Sequence, residues 1–201
     1  MKPEDFAVAT GVSRETLDRF RLYASLLSRW QRTVNLIGKS TEADIWERHF
    51  LDSAQLCPFL SDRPGVVDFG SGAGFPGAVL AALGIADVHL VESDSRKCAF
   101  LRELDRQLAL GMTIHETRAE SLTAWKASSI TSRALAPLPR LLDLTGNFLG
   151  PDTVALFLKG ETADQELTEA RKGWNMTVER FPSRTSPTGV ILRLTRLERK
   201  T

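Results

Sequence analysis

The chain has 201 residues, of which 42% are hydrophobic and 25% are charged, and its formal net charge at pH 7 is +1. This length allows one domain with an extension, and the composition is that of a globular protein that buries a core without disulfide bonds. No basic-apolar leader opens the sequence and no apolar run has membrane-spanning length, so we expect a cytoplasmic protein without membrane contact. Cys57 and Cys98 are isolated in apolar helical patterns, which predicts buried, reduced thiols and no metal site.

The N-terminal part of the sequence is helical in pattern. Apolar residues recur at helical spacing over residues 13–31, and Ser13 is the candidate N-cap. A second helix is expected over Thr41–Cys57, with a capping-box-like start at Thr41. We therefore predict a helical extension, residues 1–60, that packs on a second domain, residues 61–201.

Three polar residues of the second helix are candidates for function. Arg48 and Asp52 are four residues apart and can pair on one helix face as an ordinary ion pair. The alternative is that this helix edge lies over a ligand cavity, with Arg48 or His49 facing substrate.

The organising feature of the chain is a glycine-rich stretch, Asp68–Gly77, that follows a short buried strand. Gly70, Gly72 and Gly74 alternate, so the backbone can take positive φ and let a ligand come close. Pro76 is suited to the first turn of the next helix, where free amides favour anions or carboxylates. The pattern predicts a nucleotide-type ligand at the carboxyl end of a parallel strand.

Two nucleotide ligands fit this stretch. The segment Gly72–Gly77 matches the G-x-G-x-x-G dinucleotide pattern, which would indicate NAD. Asp68, two residues before Gly70, extends the pattern to D-x-G-x-G-x-G, which is typical of strands that bind S-adenosylmethionine (AdoMet). A carboxylate there can organise the loop amides and face the ligand's ammonium group, whereas it would repel a pyrophosphate. The residues favour AdoMet, and NAD stays open as the alternative.

Strands and helices alternate from residue 66 to 173, which predicts a parallel sheet with helices on both faces. The later strands are expected at 88–91, 112–115, 129–134, 154–158, 176–181 and 190–195. Helices are expected over 95–109 (closed by Gly111), 137–149, and from a Thr162-x-x-Gln165 cap to Gly173. No helix separates the last two strands, so they form an antiparallel hairpin. The predicted fold is α/β, a Rossmann-like AdoMet-dependent methyltransferase fold. It has a mostly parallel seven-stranded sheet, an antiparallel edge hairpin and the N-terminal helical extension.

Several residues at the carboxyl ends of these strands point to a site. Glu92 ends the second strand and suits a bidentate grip on ribose hydroxyls. The loop at Arg118–Ser121 is placed to meet an adenine ring. Arg133 ends a central strand, where a buried guanidinium must either pair with a structural carboxylate or face the ligand. His89 and His115 indicate no shared site and are interpreted as structural.

Charge is unevenly distributed along the sequence. From residue 171 to 201 there are eight Lys and Arg residues against two acidic ones. This excess suggests a basic face that contacts nucleic acid, although a solvated surface with a C-terminal tail explains it equally well.

The sequence resembles the RsmG (GidB) family of bacterial methyltransferases, which modify N(7) of a guanine in small-subunit (16S) ribosomal RNA. The matching segments are Val34–Leu36, Arg48–Ser53, Asp68–Gly77, Glu92–Ser93, Arg96–Lys97, Phe100–Leu101, Ser132–Ala134 and Leu158–Gly160. The most specific part is the glycine stretch that ends in Phe75, Pro76 and Gly77. One departure concerns the final strand, because family members usually have an arginine where this chain has Thr188–Gly189. Arg184 is the nearest replacement.

The resemblance implies AdoMet contacts from Gly70, Phe75, Ala119, Glu120 and Arg133. With the residues argued from chemistry, the predicted cofactor site comprises Asp68, Gly70, Gly72, Phe75, Glu92, Ala119, Glu120 and Arg133. We expect no general base and no metal, with Arg48, Arg133 and Lys159 as residues that position the substrate. The implied partner is 16S rRNA, within the small ribosomal subunit or its precursor, bound by a monomer. Besides the NAD oxidoreductase, a non-catalytic ribosome-assembly factor that keeps the fold stays open.

Overall fold

A computed structural model describes residues 1–60 and 62–200. The helices are α1 Pro3–Thr10, α2 Arg14–Gln31, α3 Asp52–Ala54, α4 Gly77–Ala82, α5 Ser95–Leu108, α6 Leu138–Thr145 and α7 Ala163–Gly173. The strands are β1 Val66–Phe69, β2 Val88–Glu92, β3 Thr113–Glu116, β4 Ser129–Arg133, β5 Val154–Lys159, β6 Trp174–Pro182 and β7 Val190–Arg199. The predicted domain limits Ser61 and Thr201 lie outside the described residues.

The seven strands form one sheet in the order β3-β2-β1-β4-β5-β7-β6. Strands β1 to β5 are parallel, and β7 is antiparallel to both β5 and β6. The predicted architecture is confirmed. The strand order reverses direction between β1 and β4, and ligands of such sheets bind beyond the carboxyl ends of the strands at this point. The glycine stretch begins there.

The N-terminal helices pack on the sheet through an aromatic cluster. Phe6, Phe20 and Phe50 are fully buried and contact one another, with ring centroids 4.8 Å (Phe6–Phe20) and 5.1 Å (Phe20–Phe50) apart. The Tyr23 hydroxyl of α2 donates to the Ala73 carbonyl at 2.6 Å, which fixes α2 to the glycine stretch. Helices and sheet share a continuous core, and a division into two domains near residue 61 stays a prediction.

The predicted second helix, Thr41–Cys57, is wrong in detail. A 3-10 helix over Lys39–Asp44 is followed by a π-helix over Trp46–Leu51, then by α3 and a 3-10 turn over Cys57–Phe59. Thr41 therefore lies inside a 3-10 helix and does not cap it. Its hydroxyl instead donates to the Gly38 carbonyl. Helix α1, Pro3–Thr10, is an additional helix that the hydrophobic spacing of the sequence does not predict.

Smaller differences concern helix ends. The Ser13 cap is confirmed, because its hydroxyl accepts from the Thr16 amide at 3.1 Å. Helix α5 ends through Ala109, with φ of 50°, before it reaches Gly111. The helix expected over 137–149 is α6 and a following 3-10 turn. The Thr162 hydroxyl bonds Glu166 and not the expected Gln165. None of the helices described here is both long and apolar enough to span a bilayer.

Candidate functional site

The glycine stretch adopts the conformation that its sequence predicts. Gly70, Gly72 and Gly74 have φ of 72°, 57° and 92°. A Cβ at Gly70 would lie 2.7 Å from the Leu135 side chain, and one at Gly74 would clash with the Tyr23 hydroxyl, so protein packing requires these two glycines. A Cβ at Gly72 would have only the Gly70 carbonyl within 4 Å. Space beside Gly72 is thus open to a ligand.

The buried Asp68 carboxylate holds the glycine stretch in place through hydrogen bonds. Its Oδ2 accepts from the Gly77 amide at 3.2 Å, and its Oδ1 accepts from the Thr131 hydroxyl at 2.9 Å. Burial raises the pKa of Asp68 to about 6, against the opposing effect of these hydrogen bonds. The predicted role in ordering the loop is what the structure shows. The side chain is 0% exposed, however, so it does not face a ligand's ammonium group.

Glu92 links the end of β2 to the loop. Its Oε2 accepts from the Gly72 amide at 2.9 Å, while Oε1 accepts from the amides of Ser93 (2.7 Å) and Asp94 (2.8 Å). The carboxylate is therefore held in place by backbone donors while it borders a cavity. A carboxylate has about four lone-pair sites and three are used here, so Glu92 can still accept from one ribose hydroxyl.

A cavity of about 340 Å³ lies beyond the carboxyl ends of β1 and β2, which we call the cofactor cavity. It is lined by Gly70, Gly72, Val91, Glu92, Ser93, Lys97, Thr117, Arg118, Ala119, Glu120, Ala134, Leu135 and Leu144. Five of the eight predicted cofactor residues lie here, and Asp68, Phe75 and Arg133 do not. Sequence reasoning missed Val91, Thr117, Leu135 and Leu144, whose residue types carry no binding signal.

Phe75 lies behind the loop, inside the protein. Its ring stacks on Tyr23 (centroids 5.7 Å apart) and on His49 (4.8 Å apart). The Arg133 guanidinium carbon is 5.0 Å from the Phe75 ring centroid, a cation–π distance. Phe75 therefore supports the site from its inner side.

Arg133, at the end of β4, is bonded to three residues of the π-helix region. Its Nη1 donates to the Arg48 carbonyl at 2.8 Å and to Asp52 Oδ2 at 3.2 Å, and its Nη2 donates to His49 Nδ1 at 2.6 Å. Arg133 pairs with a carboxylate, as one sequence interpretation expected, and it also borders a cavity. That it faces a ligand stays a prediction. The predicted Arg48–Asp52 pair is wrong. Asp52 bonds Arg133 and the Thr185 hydroxyl instead, and the Arg48 side chain is exposed.

A second cavity of about 380 Å³, the substrate cavity, lies on the other side of Arg133. It is lined by Gly38, Thr41, Arg48, His49, Asp52, Arg133, Ala134, Leu158, Lys159, Gly160, Ser183, Thr185, Ser186, Gly189 and Val190. Ala134 lines both cavities and has φ of 54°, a left-handed conformation that is uncommon outside glycine. The two cavities thus share one lining residue, Ala134, whose left-handed conformation the sequence did not predict.

Lys159, predicted to position substrate, is largely committed to protein partners. Its ammonium group pairs with Glu166 at 2.9 Å and donates to the Ala136 carbonyl at 2.8 Å, and its side chain is 9% exposed. Partial burial alone would raise the pKa of Glu166. The hydrogen bonds from Lys159, Thr162 and the Leu138 amide, together with the charge of Lys159, outweigh burial, so the pKa is lowered. Lys159 lies at the rim of the substrate cavity as a fixed positive charge.

Three arginines of the basic C-terminal segment form ion pairs with acidic residues in the folded protein. Arg193 pairs with Glu179, Arg180 with Asp164, and Arg199 with Asp143. These pairs favour the solvated-surface interpretation for the strands β6 and β7. Arg184, the expected replacement for the family's arginine, donates to the Ala9 carbonyl at 3.2 Å and does not line the substrate cavity.

The two histidines interpreted as unrelated are in contact. His89 Nδ1 lies 3.0 Å from His115 Nε2, and the rings stack beside Trp125 on the outer strands β2 and β3. Parallel pairing aligns His89 with Thr113, so His115 lies two residues further along the same face, a relation that separate strand patterns did not reveal. They line neither cavity, which agrees with a structural role.

Solved structures define the class of protein. The magnesium protoporphyrin IX methyltransferase of Synechocystis PCC 6803, with bound SAM, matches with a TM-score of 0.59 over 92% of this chain and 98% of that one, at 16% identity. A TehB-like SAM-dependent methyltransferase of Corynebacterium glutamicum matches with a TM-score of 0.60 over 88% and 98%, at 17% identity. The fold is thus that of the Rossmann-like, AdoMet-dependent methyltransferases. The predicted cofactor is the cofactor of this class.

Sequence comparison then defines the family. Residues 16–187 match the family model GidB, described as rRNA small subunit methyltransferase G. The protein named ribosomal RNA small subunit methyltransferase G of Rhodospirillum centenum is 54% identical over 194 residues, 96% of this chain and 90% of that protein. Its namesake in Rhodospirillum rubrum is 50% identical over 200 residues, 99% of this chain and 100% of that protein. The chain belongs to this family. The resemblance seen in the sequence is confirmed, and the NAD alternative is wrong.

Proposed function

We propose that this protein transfers a methyl group from AdoMet to N(7) of a guanine in 16S rRNA. The observation that carries the proposal is that Ala134 lines two cavities, one beside the glycine stretch and one beside Arg133. A cofactor in the first cavity and a base in the second would meet there. The names of the relatives support small-subunit rRNA as the substrate class. We further infer that a monomer acts on the small subunit or its precursor.

The residues of the cofactor cavity fit AdoMet. Gly72 leaves room for close approach, and Glu92 offers fixed carboxylate oxygens to the ribose. Ala119 and Glu120 border the same cavity, at the loop after β3, where an adenine would lie. Asp68 and Phe75 serve indirectly, because they hold the loop and are themselves buried. When bound, AdoMet supplies a methyl group on a sulfonium, which a neutral nucleophile can attack directly.

Guanine N(7) has a free lone pair and carries no proton, so this chain need not supply a general base. Its task is to hold the base and the cofactor in line, an effect that can provide on the order of 7–11 kcal/mol. Arg133 and Lys159 are held at the substrate cavity by protein partners, and Arg48 is exposed at its rim. These three side chains are suited to hold a guanine or its phosphates.

Neither titratable neighbour of Arg133 is suited to be a base. Burial, followed by the charges of Arg133 and Arg48, lowers the pKa of His49 to about 3. Asp52 already accepts hydrogen bonds from Arg133 and Thr185. His49 therefore stays neutral across the neutral pH range.

The rate of single-turnover methylation should therefore be independent of pH between about 7 and 8.5, since no group that acts as a base titrates there. Just below this pH range we expect Asp68 to titrate, because burial raises its pKa to about 6. Protonation below that pH removes an acceptor charge that orders the loop, so AdoMet affinity should fall there while the plateau stays flat. The rate is measured as a quench-flow pH profile with saturating AdoMet and rRNA, and the AdoMet affinity by calorimetric titration above and below the pKa of Asp68. A unit-slope rise above pH 7 that disappears in His49→Ala would contradict this mechanism.

Mass mapping of 16S rRNA tests the proposed product. The 16S rRNA of a strain that lacks this gene should have lost one methyl group on a guanine, and purified protein with AdoMet should restore that methyl group in vitro. Naked 16S rRNA and isolated small subunits are tested in parallel, which decides between the two substrates. Unchanged rRNA together with an altered subunit profile would support the non-catalytic assembly factor instead.

A further inference from the structure

A chain of hydrogen bonds runs from the N-terminal layer to Arg133. The Thr41 hydroxyl lies 2.9 Å from the Gly38 carbonyl oxygen and 2.9 Å from His49 Nε2. On the other side of the ring, His49 Nδ1 lies 2.6 Å from Arg133 Nη2. Four groups are thus joined in series, and all four residues line the substrate cavity.

The chemistry of the two ends decides the direction of every bond between them. A guanidinium can only donate, so His49 Nδ1 must accept from Arg133 with its lone pair. A carbonyl can only accept, so the Thr41 hydroxyl proton points to Gly38. The Thr41 oxygen is then the acceptor for a proton on His49 Nε2. The ring is therefore the neutral Nε2–H tautomer, since a proton on Nδ1 would face the Arg133 donor.

The same arrangement supports Arg133 from two further sides. Phe75 lies under the guanidinium and also stacks on the His49 ring. Asp52 accepts from Arg133 Nη1, and Thr185 in turn donates to Asp52 at 2.6 Å. Three of the five guanidinium N–H groups of Arg133 have protein acceptors, which leaves two for a ligand. The N–H groups without a described acceptor are that of Nε and one on Nη2, and such donors suit a phosphate, a carboxylate or a purine edge.

We propose that Thr41, acting through the tautomer of His49, is a positioning residue that sets the orientation of Arg133 at the substrate cavity. The proposal rests on the proposed function, in which Arg133 helps to hold the guanine in line. Thr41 touches neither cofactor nor reacting atoms. It acts by making Nε2 the protonated nitrogen, which leaves Nδ1 free to hold the guanidinium.

The test compares Thr41→Val, Thr41→Ser and Thr33→Val. Valine keeps the shape of threonine and removes the hydroxyl, whereas serine retains it. Thr33→Val is the matched control, because the Thr33 hydroxyl also donates to the carbonyl three residues earlier, at the exposed end of α2. Single-turnover methylation should fall about tenfold in Thr41→Val, the size expected for a lost hydrogen bond beside a charged group, and should recover in Thr41→Ser. AdoMet affinity should be unchanged in all three.

Nitrogen-15 NMR of the His49 ring and the Arg133 side chain provides a second readout that needs no activity. At pH 7 the wild-type ring should carry its proton on Nε2 alone, and Thr41→Val should broaden the Arg133 guanidinium signals. A ring protonated on Nδ1, an even mixture of tautomers, or wild-type rates in Thr41→Val would each overturn the proposal. If wild-type protein does not methylate rRNA while the tautomer is as stated and Arg133 still loses its order in Thr41→Val, the proposed function falls. The relay then stands as a positioning device for another substrate.

Discussion

Gly72→Ala should weaken AdoMet binding by about 10- to 100-fold, the factor that corresponds to the ~1–3 kcal/mol cost of an extra methyl group in a packed contact. Among the described residues, the new Cβ has only the Gly70 carbonyl oxygen, 3.9 Å away, as a non-adjacent protein neighbour within 4 Å, so it lies in open space at a residue that lines the cofactor cavity. The Gly72 amide, which donates to Glu92, would also be displaced by any shift that relieves the crowding. Calorimetric titration with AdoMet measures the effect.

The control for this variant must carry the same backbone strain. Gly72 has φ of 57°, and alanine in that conformation costs about 1–2 kcal/mol. Gly111 has φ of 69° and also has open space around its Cβ position, but it lies in the turn between α5 and β3. Gly111→Ala should lose a similar amount of thermal stability and keep full AdoMet affinity. Wild-type affinity in Gly72→Ala would show that the cofactor lies elsewhere.

Arg133→Lys should lower kcat/KM for methyl transfer by about 100-fold, because a misplacement of about 1 Å at a positioning group can have that effect. Lysine keeps the positive charge, so an effect of this size would report geometry and not charge. The guanidinium reaches the Arg48 carbonyl, Asp52 and His49 at once, whereas a single ammonium group on a flexible four-carbon stem cannot match that fork. Single-turnover rates with saturating AdoMet are the measurement.

Arg193→Lys is the matched control for this charge-conserving change. Arg193 is on β7 and pairs with Glu179 at the protein surface, and surface pairs contribute little. It should retain wild-type rates and stability. Arg133→Lys should also lose about 1–3 kcal/mol of stability, since buried acceptors are left without their donor. If its kcat/KM equals that of the wild type, Arg133 does not position the substrate.

The sequence revealed the cofactor side of the site more fully than the substrate side. Gly70, Gly72 and Glu92 lie in the cofactor cavity as expected, and so do Ala119 and Glu120 from the family resemblance. Such residues follow directly on strands, and the ends of parallel strands meet at one edge of a sheet. Once the strands are identified, it can therefore be inferred that these residues lie close to one another.

The substrate side depends on contacts between segments that are distant in the chain. Arg133 bonds residues 48–52, more than eighty positions away, and Asp52 bonds Thr185, 133 positions away. The helical spacing of Arg48 and Asp52 suggested a local ion pair, but a buried guanidinium attracts the carboxylate more strongly than an exposed one does. Local spacing could not reveal that competition.

The sequence by itself determined the fold class, the family and the conformation of the glycine stretch. Each of these follows from local chemistry: hydrophobic periodicity selects strands and helices, and only glycine readily adopts the positive φ at positions 70, 72 and 74. The tertiary structure alone decided which side chains share the Arg133 guanidinium and that the Asp68 side chain is fully buried. It also decided that Arg180, Arg193 and Arg199 of the basic segment are paired with acids. The physical reason is that burial and ion pairing depend on packing between elements, which residue order specifies only through the complete fold.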